Sequence, residues 1–168
     1  YLRMTMRALA AVGAEVQEHA DSFLVKPNTP SVPDQVVPPD ASTAAYWWLV
    51  GALVPGASMT VPNFAHSLDQ PDAALLSVFE SMGAEVTRTG TDVTLTGGSL
   101  FGVEVDCEDF PDGAVALAAA CAFAETPSRL TGLHTLRVKE CDRVHAVATE
   151  IERFGGQVVE HSDALDIT

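Results

Sequence analysis

Basic residues are scarce in this sequence. Lysine and arginine together number 9 against 23 aspartates and glutamates, which gives a formal net charge of −14 at pH 7. An excess of negative charge repels the phosphates of nucleic acids and the anionic headgroups of membranes. We therefore expect neither nucleic acid nor a membrane surface as a partner, and any anion-binding site has to concentrate the few cations in one place.

Long apolar runs and cysteine clusters are also missing. The longest apolar stretches, 44–54 and 113–124, are shorter than the roughly 20 residues that span a bilayer. Three cysteines without a C-x-x-C spacing favour reduced thiols in a cytoplasmic protein over a disulfide framework or a zinc site. No signal-peptide pattern opens the chain, and it starts inside a helical pattern at Tyr1, so we expect further residues upstream.

Signatures of several other enzyme classes are absent as well. The sequence has no phosphate-binding glycine loop and no nucleophile elbow. Its five histidines show no ligand spacing, so surface or packing roles are expected for all of them. We therefore predict no metal site and no cofactor.

An internal repeat is the most informative feature that is present. A helical pattern that ends at a glycine and is followed by two short strand patterns occurs three times, with Gly13, Gly83 and Gly155 about 70 residues apart. Glycine readily adopts the left-handed conformation that closes a helix. An apolar segment and a further strand pattern precede the second and third copies with the same offset. The repeat predicts an α/β (α+β) protein built from βαβαββ units.

Two kinds of helix are predicted in each unit. The apolar segments 44–54 and 113–124 should form helices buried on all sides, with Trp47 and Trp48 in the core. The second helix is amphipathic and should cover a sheet. Its apolar residues are Leu75, Leu76, Phe79 and Met82 in one copy and Val144, Val147, Ile151 and Phe154 in the other.

Prolines divide the chain into domains. Residues 28–40 contain four prolines, which suit neither a helix interior nor a central strand. We interpret this stretch as a crossover between domains. Residues 1–27 are then the end of a first domain, a truncated repeat, and residues 41–168 are two βαβαββ units of a second domain.

Three motifs occur in order along the repeats: DASTAAY at 40–46, FPDGA at 110–114 and LRVKECDR at 136–143. Together with YLRMT at 1–5, they resemble motifs of the 5-enolpyruvylshikimate-3-phosphate synthases, and the third motif is the most specific. The resemblance covers essentially the whole chain. It implies an inside-out α/β barrel of the enolpyruvyl transferase type, with the active site between two domains, and this chain would be the second half of such an enzyme.

The resemblance also implies a reaction. The carboxyvinyl group of phosphoenolpyruvate would be transferred to the 5-hydroxyl of shikimate 3-phosphate, with release of phosphate. Both substrates are anions, so the grouping of Arg137, Lys139 and Arg143 within 137–143 fits the need for a local cation cluster. We expect the fragment alone to be inactive, because its partner would be the remaining half of the same enzyme.

Three residues are implied to take part in the chemistry. By the resemblance, Asp112 and Lys139 hold the 5-hydroxyl, which Asp112 deprotonates, while Glu140 donates and later retrieves the methylene proton of phosphoenolpyruvate. Two carboxylates and two cations in one cleft are also expected to shift each other's pKa values.

Substrate binding is implied for a partly different set of residues. Arg143 would bind phosphoenolpyruvate, Lys139 the shikimate side of the cleft, and Tyr1 and Thr135 shikimate 3-phosphate. Arg137 is expected to support the fold. The sequence departs from the usual motifs at Cys141, at Gly113 and at Thr135, which concerns the fine specificity for the acceptor rather than the charged groups.

Simpler interpretations exist for the same residues. Asp112 could merely cap the helix that follows it, and the charges at 139–143 could form a solvated face with an ion pair three or four residues apart. A helix start explains Asp40 and Ser42. For the whole chain, the alternatives are a sister enolpyruvyl transferase acting on a UDP-sugar or another nucleotide, and a non-catalytic βαβαββ binding module.

Overall fold

The computed structural model describes residues 1–27, 29, 31 and 34–168. They form two compact units, Tyr1–Pro38 and Pro39–Thr168. The boundary between the units falls within the predicted crossover 28–40, of which residues 28, 30, 32 and 33 lie outside the described part of the chain.

Among its described residues, the first unit contains one helix and one hairpin. Helix α1 (Leu2–Ala11) is followed by strands β1 (Val16–Glu18) and β2 (Phe23–Val25), which pair antiparallel with Val16 opposite Val25. This is the helix, glycine and two-strand order that the first repeat predicted.

The second unit contains four helices and seven strands among the described residues. In chain order these are α2 (Ala41–Leu53), β3 (Ser58–Val61), α3 (Leu75–Met82), β4 (Glu85–Thr89), β5 (Asp92–Thr96), β6 (Glu104–Asp106), α4 (Pro111–Cys121), β7 (Ser128–Thr131), α5 (Arg143–Arg153), β8 (Val158–Glu160) and β9 (Leu165–Ile167). Short 3-10 turns occupy Phe64–Ser67, Pro71–Ala74 and His134–Val138.

The two sheets of this unit repeat one topology. Strands β3, β5 and β4 lie side by side in that order and pair antiparallel, and β7, β9 and β8 do the same in the second sheet. Gly83 and Gly155 close α3 and α5 with φ values of +107° and +91°. The internal repeat and its left-handed glycines are therefore confirmed.

The order of the first copy differs from the prediction by one strand. In the second copy, β6 pairs parallel with β7 and completes the βαβαββ order. Residues 34–40, which precede α2, contain no strand, so the order between 41 and 98 is αβαββ. Two adjacent prolines, Pro38 and Pro39, stand directly before the helix, and without N–H groups they cannot donate to a strand partner.

The core lies between the helices and the sheets. The amphipathic helix α3 buries all four of its predicted residues, and α5 buries Val144 and Ile151 while Val147 is half-buried. Phe154 is 88% exposed, so its predicted burial is wrong. It follows the last residue of α5, where the chain already turns toward Gly155 and leaves the buried face of the helix.

The apolar helix α2 is buried on one side only. Trp48 is fully buried and packs edge-on against Phe64, with ring centroids 4.6 Å apart. Trp47 is 55% exposed, which corrects the prediction that both tryptophans belong to the core. Successive residues of an α-helix point in directions about 100° apart, so two neighbouring side chains rarely share one environment. Within the described residues, no helix has the length and apolarity needed to cross a bilayer.

Candidate functional site

The start of helix α4 brings Asp112 to the surface of the second unit. Phe110 occupies the N-cap position and Pro111 the first helical position, so Asp112 lies inside the first turn. The interpretation of Asp112 as the helix cap is therefore wrong. Its carboxylate instead accepts a hydrogen bond from Nη1 of Arg143 over 2.8 Å, and Nζ of Lys139 lies 3.4 Å from the same oxygen.

The start of helix α5 positions Arg143. The carboxylate of Asp142 caps this helix by accepting a hydrogen bond from the backbone N–H of His145 over 3.0 Å. An aspartate cap fixes the first turn, because it satisfies a backbone donor that has no partner within the helix. Arg143 is the first helical residue, so the cap holds its side chain toward the start of α4.

Glu140 forms a two-point ion pair with Arg143. The guanidinium donates from Nε to Oε1 over 2.9 Å and from Nη2 to Oε2 over 2.8 Å. The backbone N–H of Glu140 and then the Arg143 guanidinium hold the pKa of this carboxyl below its usual range, and the pair raises the pKa of Arg143. In this geometry Glu140 is a carboxylate at neutral pH, and Arg143 lies between two acids.

An open cavity of about 530 Å³ is lined by three of the charged groups, Asp112, Lys139 and Arg143, and Glu140 is paired with Arg143 outside this lining. Its size is within the range of small-molecule sites. Three helix starts contribute to it, those of α2, α4 and α5. The lining residues are Ser42, Thr43, Tyr46, Trp47, Asp112, Lys139 and Arg143.

Sequence reasoning missed the aromatic wall of this cavity. Tyr46 and Trp47 are both more than half exposed, and Val50, one turn further on, is exposed beside them. Aromatic residues count as apolar in a periodicity analysis, so a helix with an exposed aromatic face is indistinguishable from a helix buried on all sides. The polar Ser42 and Thr43 just before these residues were the available signal.

Thr135 and Tyr1 are not brought into this cluster by the described contacts. The hydroxyl of Thr135 is buried, has no hydrogen-bond partner among the described residues and does not line the cavity. Tyr1 belongs to the first unit, directly before α1. Contacts of these two residues with a substrate stay predictions.

Arg137 supports the fold, as predicted. Its guanidinium donates to the backbone oxygens of Ser162 and His161 and to the carboxylates of Asp142 and Glu160. Glu160 is the main cause of a raised pKa of this arginine. The side chain ties the start of α5 to the turn between β8 and β9, away from the cavity.

The three cysteines are free thiols in two different environments. Cys107 and Cys121 are buried, and burial raises their pKa values to about 12 and about 11. Both are therefore protonated and unreactive at neutral pH. Cys141 is exposed beside Glu140. In the part of the chain described by the structure, no group of three or more His, Cys, Asp and Glu side chains could hold a metal ion.

Fold and site together define an α/β protein of repeated units that places two cations and one carboxylate in one cavity, with a second carboxylate paired to one of the cations. Solved structures share this fold. EPSP synthase from Acinetobacter baumannii superposes with a TM-score of 0.81 at 27% identity, covering 97% of this chain and 39% of that one. The enolpyruvyl transferase NikO from Streptomyces tendae gives 0.75 at 20% identity, covering 99% and 39%, and supports the fold alone. The predicted fold class, α/β of the enolpyruvyl transferase type, is confirmed.

Sequence comparison identifies the family. The 3-phosphoshikimate 1-carboxyvinyltransferase of Thermococcus kodakarensis is 38% identical over 167 residues, which are 99% of this chain and 41% of the relative. The chloroplastic 3-phosphoshikimate 1-carboxyvinyltransferase 1 of Nicotiana tabacum is 36% identical over 180 residues, covering 100% and 35%. The model of the EPSP synthase (3-phosphoshikimate 1-carboxyvinyltransferase) family matches residues 1–168. The chain belongs to this family and spans about 40% of the length of the curated relatives it matches.

Proposed function

We propose that this chain supplies the acid–base half of an enolpyruvyl transferase site. The overall reaction moves the carboxyvinyl group of phosphoenolpyruvate to the 5-hydroxyl of shikimate 3-phosphate and releases phosphate. The observation that carries the proposal is the convergence of Arg143 and Lys139 on Asp112 in one cavity, with Glu140 paired to Arg143. The names of the curated relatives support the choice of substrates over those of a sister transferase.

Arg143 is the proposed contact for phosphoenolpyruvate. A planar guanidinium suits a carboxylate or phosphate because it donates two parallel hydrogen bonds. Glu140 already holds Arg143 in this two-point manner. An incoming anion therefore has to displace a carboxylate of the protein, and Glu140 is the more exposed of the two acids, with 67% of its side chain accessible.

This displacement prepares Glu140 to act as an acid. Its own backbone N–H and then the Arg143 guanidinium lower its pKa, so in this arrangement it has no proton to give. Once Arg143 turns to the substrate, the contribution of the guanidinium is gone and a nearby substrate anion has the opposite effect, so the pKa rises. Glu140 would then take up a proton from water, donate it to the methylene carbon of phosphoenolpyruvate and take it back as phosphate leaves.

Asp112 and Lys139 are proposed to act on the acceptor. Lys139 lies 3.4 Å from Asp112, close enough for both to contact one hydroxyl. Asp112 would accept the hydroxyl proton while the hydroxyl oxygen attacks the central carbon of phosphoenolpyruvate. Lys139 would contact the same hydroxyl and balance the charge of the shikimate phosphate.

The partner and location follow from the same proposal. The remaining part of the enzyme would supply further cations for the two anionic substrates, and no nucleic acid or membrane is involved. We propose a cytoplasmic enzyme, because its substrates are water-soluble anions and its three thiols are free.

Binding can be tested on the chain itself through Trp47, which lines the cavity. Titration with phosphoenolpyruvate should change the tryptophan fluorescence with a dissociation constant of about 1 mM, as expected when only part of the site is present. Trp47→Phe should abolish the change, since the other tryptophan, Trp48, is buried. Arg143→Gln should abolish binding, and pyruvate, which lacks the phosphate, should bind more weakly.

Catalysis requires the missing part of the enzyme. In a hybrid enzyme, residues 1–168 replace the matching region of the relative from Thermococcus kodakarensis. The hybrid enzyme should release phosphate from phosphoenolpyruvate only when shikimate 3-phosphate is present, and the chain alone should release none. A folded hybrid enzyme that binds both substrates without turnover would contradict the proposal and favour a binding module.

A further inference from the structure

A buried carboxylate lies between the starts of the two apolar helices. Asp72 is 1% exposed and belongs to the 3-10 turn Pro71–Ala74. It accepts a short hydrogen bond from the hydroxyl of Ser42 at one oxygen and a bond of 3.1 Å from the backbone N–H of Gly113 at the other. Its two oxygens thus join the first turn of α2 to the first turn of α4.

The position of this carboxylate has a physical reason. The first N–H groups of a helix have no partner within the helix, and the helix dipole makes that end favourable for a negative charge. A buried carboxylate is costly unless its oxygens accept hydrogen bonds. Ser42 and Gly113 satisfy both oxygens, so the three groups are held in one arrangement.

Gly113 permits the close approach of α4 to Asp72. A Cβ atom at position 113 would lie 3.3 Å from Oδ1 of Asp72, which is tighter than most Cβ contacts, and 3.5 Å from Cγ, which is an ordinary contact. An alanine would therefore require the helix start or the carboxylate to shift by a few tenths of an ångström. Gly113, which departs from the family motif, therefore suits the close contact with Asp72.

From this contact we infer that Asp72 is a positioning residue for the cluster. Gly113 is bonded directly to Asp112 in the chain, so fixing the Gly113 N–H fixes the direction in which Asp112 projects toward Arg143 and Lys139. The second oxygen fixes Ser42, which also lines the cavity. The inference rests on the proposed function, because it assumes that the cluster binds the anionic substrate.

The negative charge of Asp72 and its positioning role predict opposite effects of removing Asp72 on phosphoenolpyruvate affinity. As a nearby negative charge, Asp72 opposes the binding of any anion, so its removal should tighten phosphoenolpyruvate binding. As a positioning residue, its removal lets the start of α4 move, so binding should weaken. A small misplacement of site groups is enough for a large loss of affinity.

The test compares Asp72→Ala with Asp72→Asn in the phosphoenolpyruvate titration of the chain. Asp72→Ala should weaken binding at least about fivefold in the folded protein. Asp72→Asn should keep wild-type affinity or exceed it, because the amide oxygen still accepts from Gly113 while the charge is gone. The control is Ile167→Val, a change in the buried strand β9 that lowers stability without contact with the cluster.

Unchanged or tighter binding by Asp72→Ala would overturn the inference. If Asp72→Ala does not fold, Asp72→Ser takes its place, since its hydroxyl is too short to reach Gly113. If the wild-type chain binds no phosphoenolpyruvate, the proposed function fails, and the positioning role of Asp72 is tested separately by a crystal structure of Asp72→Ala. An Arg143–Asp112 contact that stays at 2.8 Å in this variant would contradict the positioning role, and loss of the contact would support it.

Discussion

Asp112 and Arg143 are 31 positions apart in the sequence and are joined by a hydrogen bond of 2.8 Å. Each belongs to the first turn of a helix, one apolar and one amphipathic. The repeat places these two helix starts side by side, and the cavity opens where they meet. The consequences of this arrangement can be measured residue by residue.

Replacement of Asp112 by asparagine should affect chemistry and leave stability almost unchanged. In the hybrid enzyme, Asp112→Asn should lower kcat by roughly 10²-fold, the usual effect of losing a general base. Asp112 caps no helix, so the melting temperature should change little. Asp40→Asn is the control, since Asp40 does cap α2 through Thr43 and asparagine caps equally well. Unaltered kcat in Asp112→Asn would leave Lys139 and Glu140 as the only chemical groups.

Replacement of Glu140 by glutamine should tighten phosphoenolpyruvate binding to the chain. The substitution removes the carboxylate that competes for Arg143, and an increase in affinity of about threefold is expected for an exposed ion pair. Glu150→Gln is the matched control, because Glu150 pairs with Arg153 at the same spacing at the other end of α5. Weaker binding by Glu140→Gln alone would mean that Glu140 helps to hold the anion instead of competing with it.

Replacement of Arg137 by lysine should lower stability without affecting the site. Lysine cannot reach two backbone oxygens and two carboxylates at once, so the free energy of unfolding should fall by about 2 kcal/mol. Arg88→Lys should cost much less, since Arg88 has one partner, Glu80, at 3.3 Å. Urea denaturation measures both variants, and a loss of phosphoenolpyruvate affinity in Arg137→Lys would show that Arg137 also serves the site.

Glu160 should make the stability of the chain depend on acid pH. Hydrogen bonds from His145 and then Arg137 lower its pKa in the folded state. A lowered pKa contributes stability that is fully present above the pKa of the unfolded chain, near 4.3, and is lost as pH falls toward the folded value. Urea denaturation between pH 7 and about pH 3 should therefore show wild type and Glu160→Gln converging at the acid end. Glu152→Gln controls for the change in net charge, and a difference that stays constant with pH would contradict the assignment.

The features that the sequence predicted correctly depend on local rules. Gly83 and Gly155 end their helices in the left-handed conformation, and two strands follow each of them as predicted. Turn chemistry and alternation can be recognised within a few residues of sequence. The cluster at 139–143 was found because its charges are adjacent in the sequence.

The features that were missed depend on contacts between distant residues. Whether Trp47 or Trp48 faces outward is decided by what packs on α2, and nothing in the apolar run 44–54 distinguishes the two. Asp72 belongs to none of the motifs, and its role was missed because its partners Ser42 and Gly113 are 30 and 41 positions away. The burial of Asp72 can therefore be recognised only in the folded structure.

Because no strand precedes α2 among the described residues, one sheet has an open edge there. In the described part of the chain, β3 pairs with β5 alone, whereas β7 has β6 on its other side. The backbone N–H and C=O groups along that side of β3 form a template on which any extended peptide can add a strand. As a separate polypeptide at high concentration, the second unit is therefore prone to self-association along this edge, and its solubility depends on what covers four residues, Ser58–Val61.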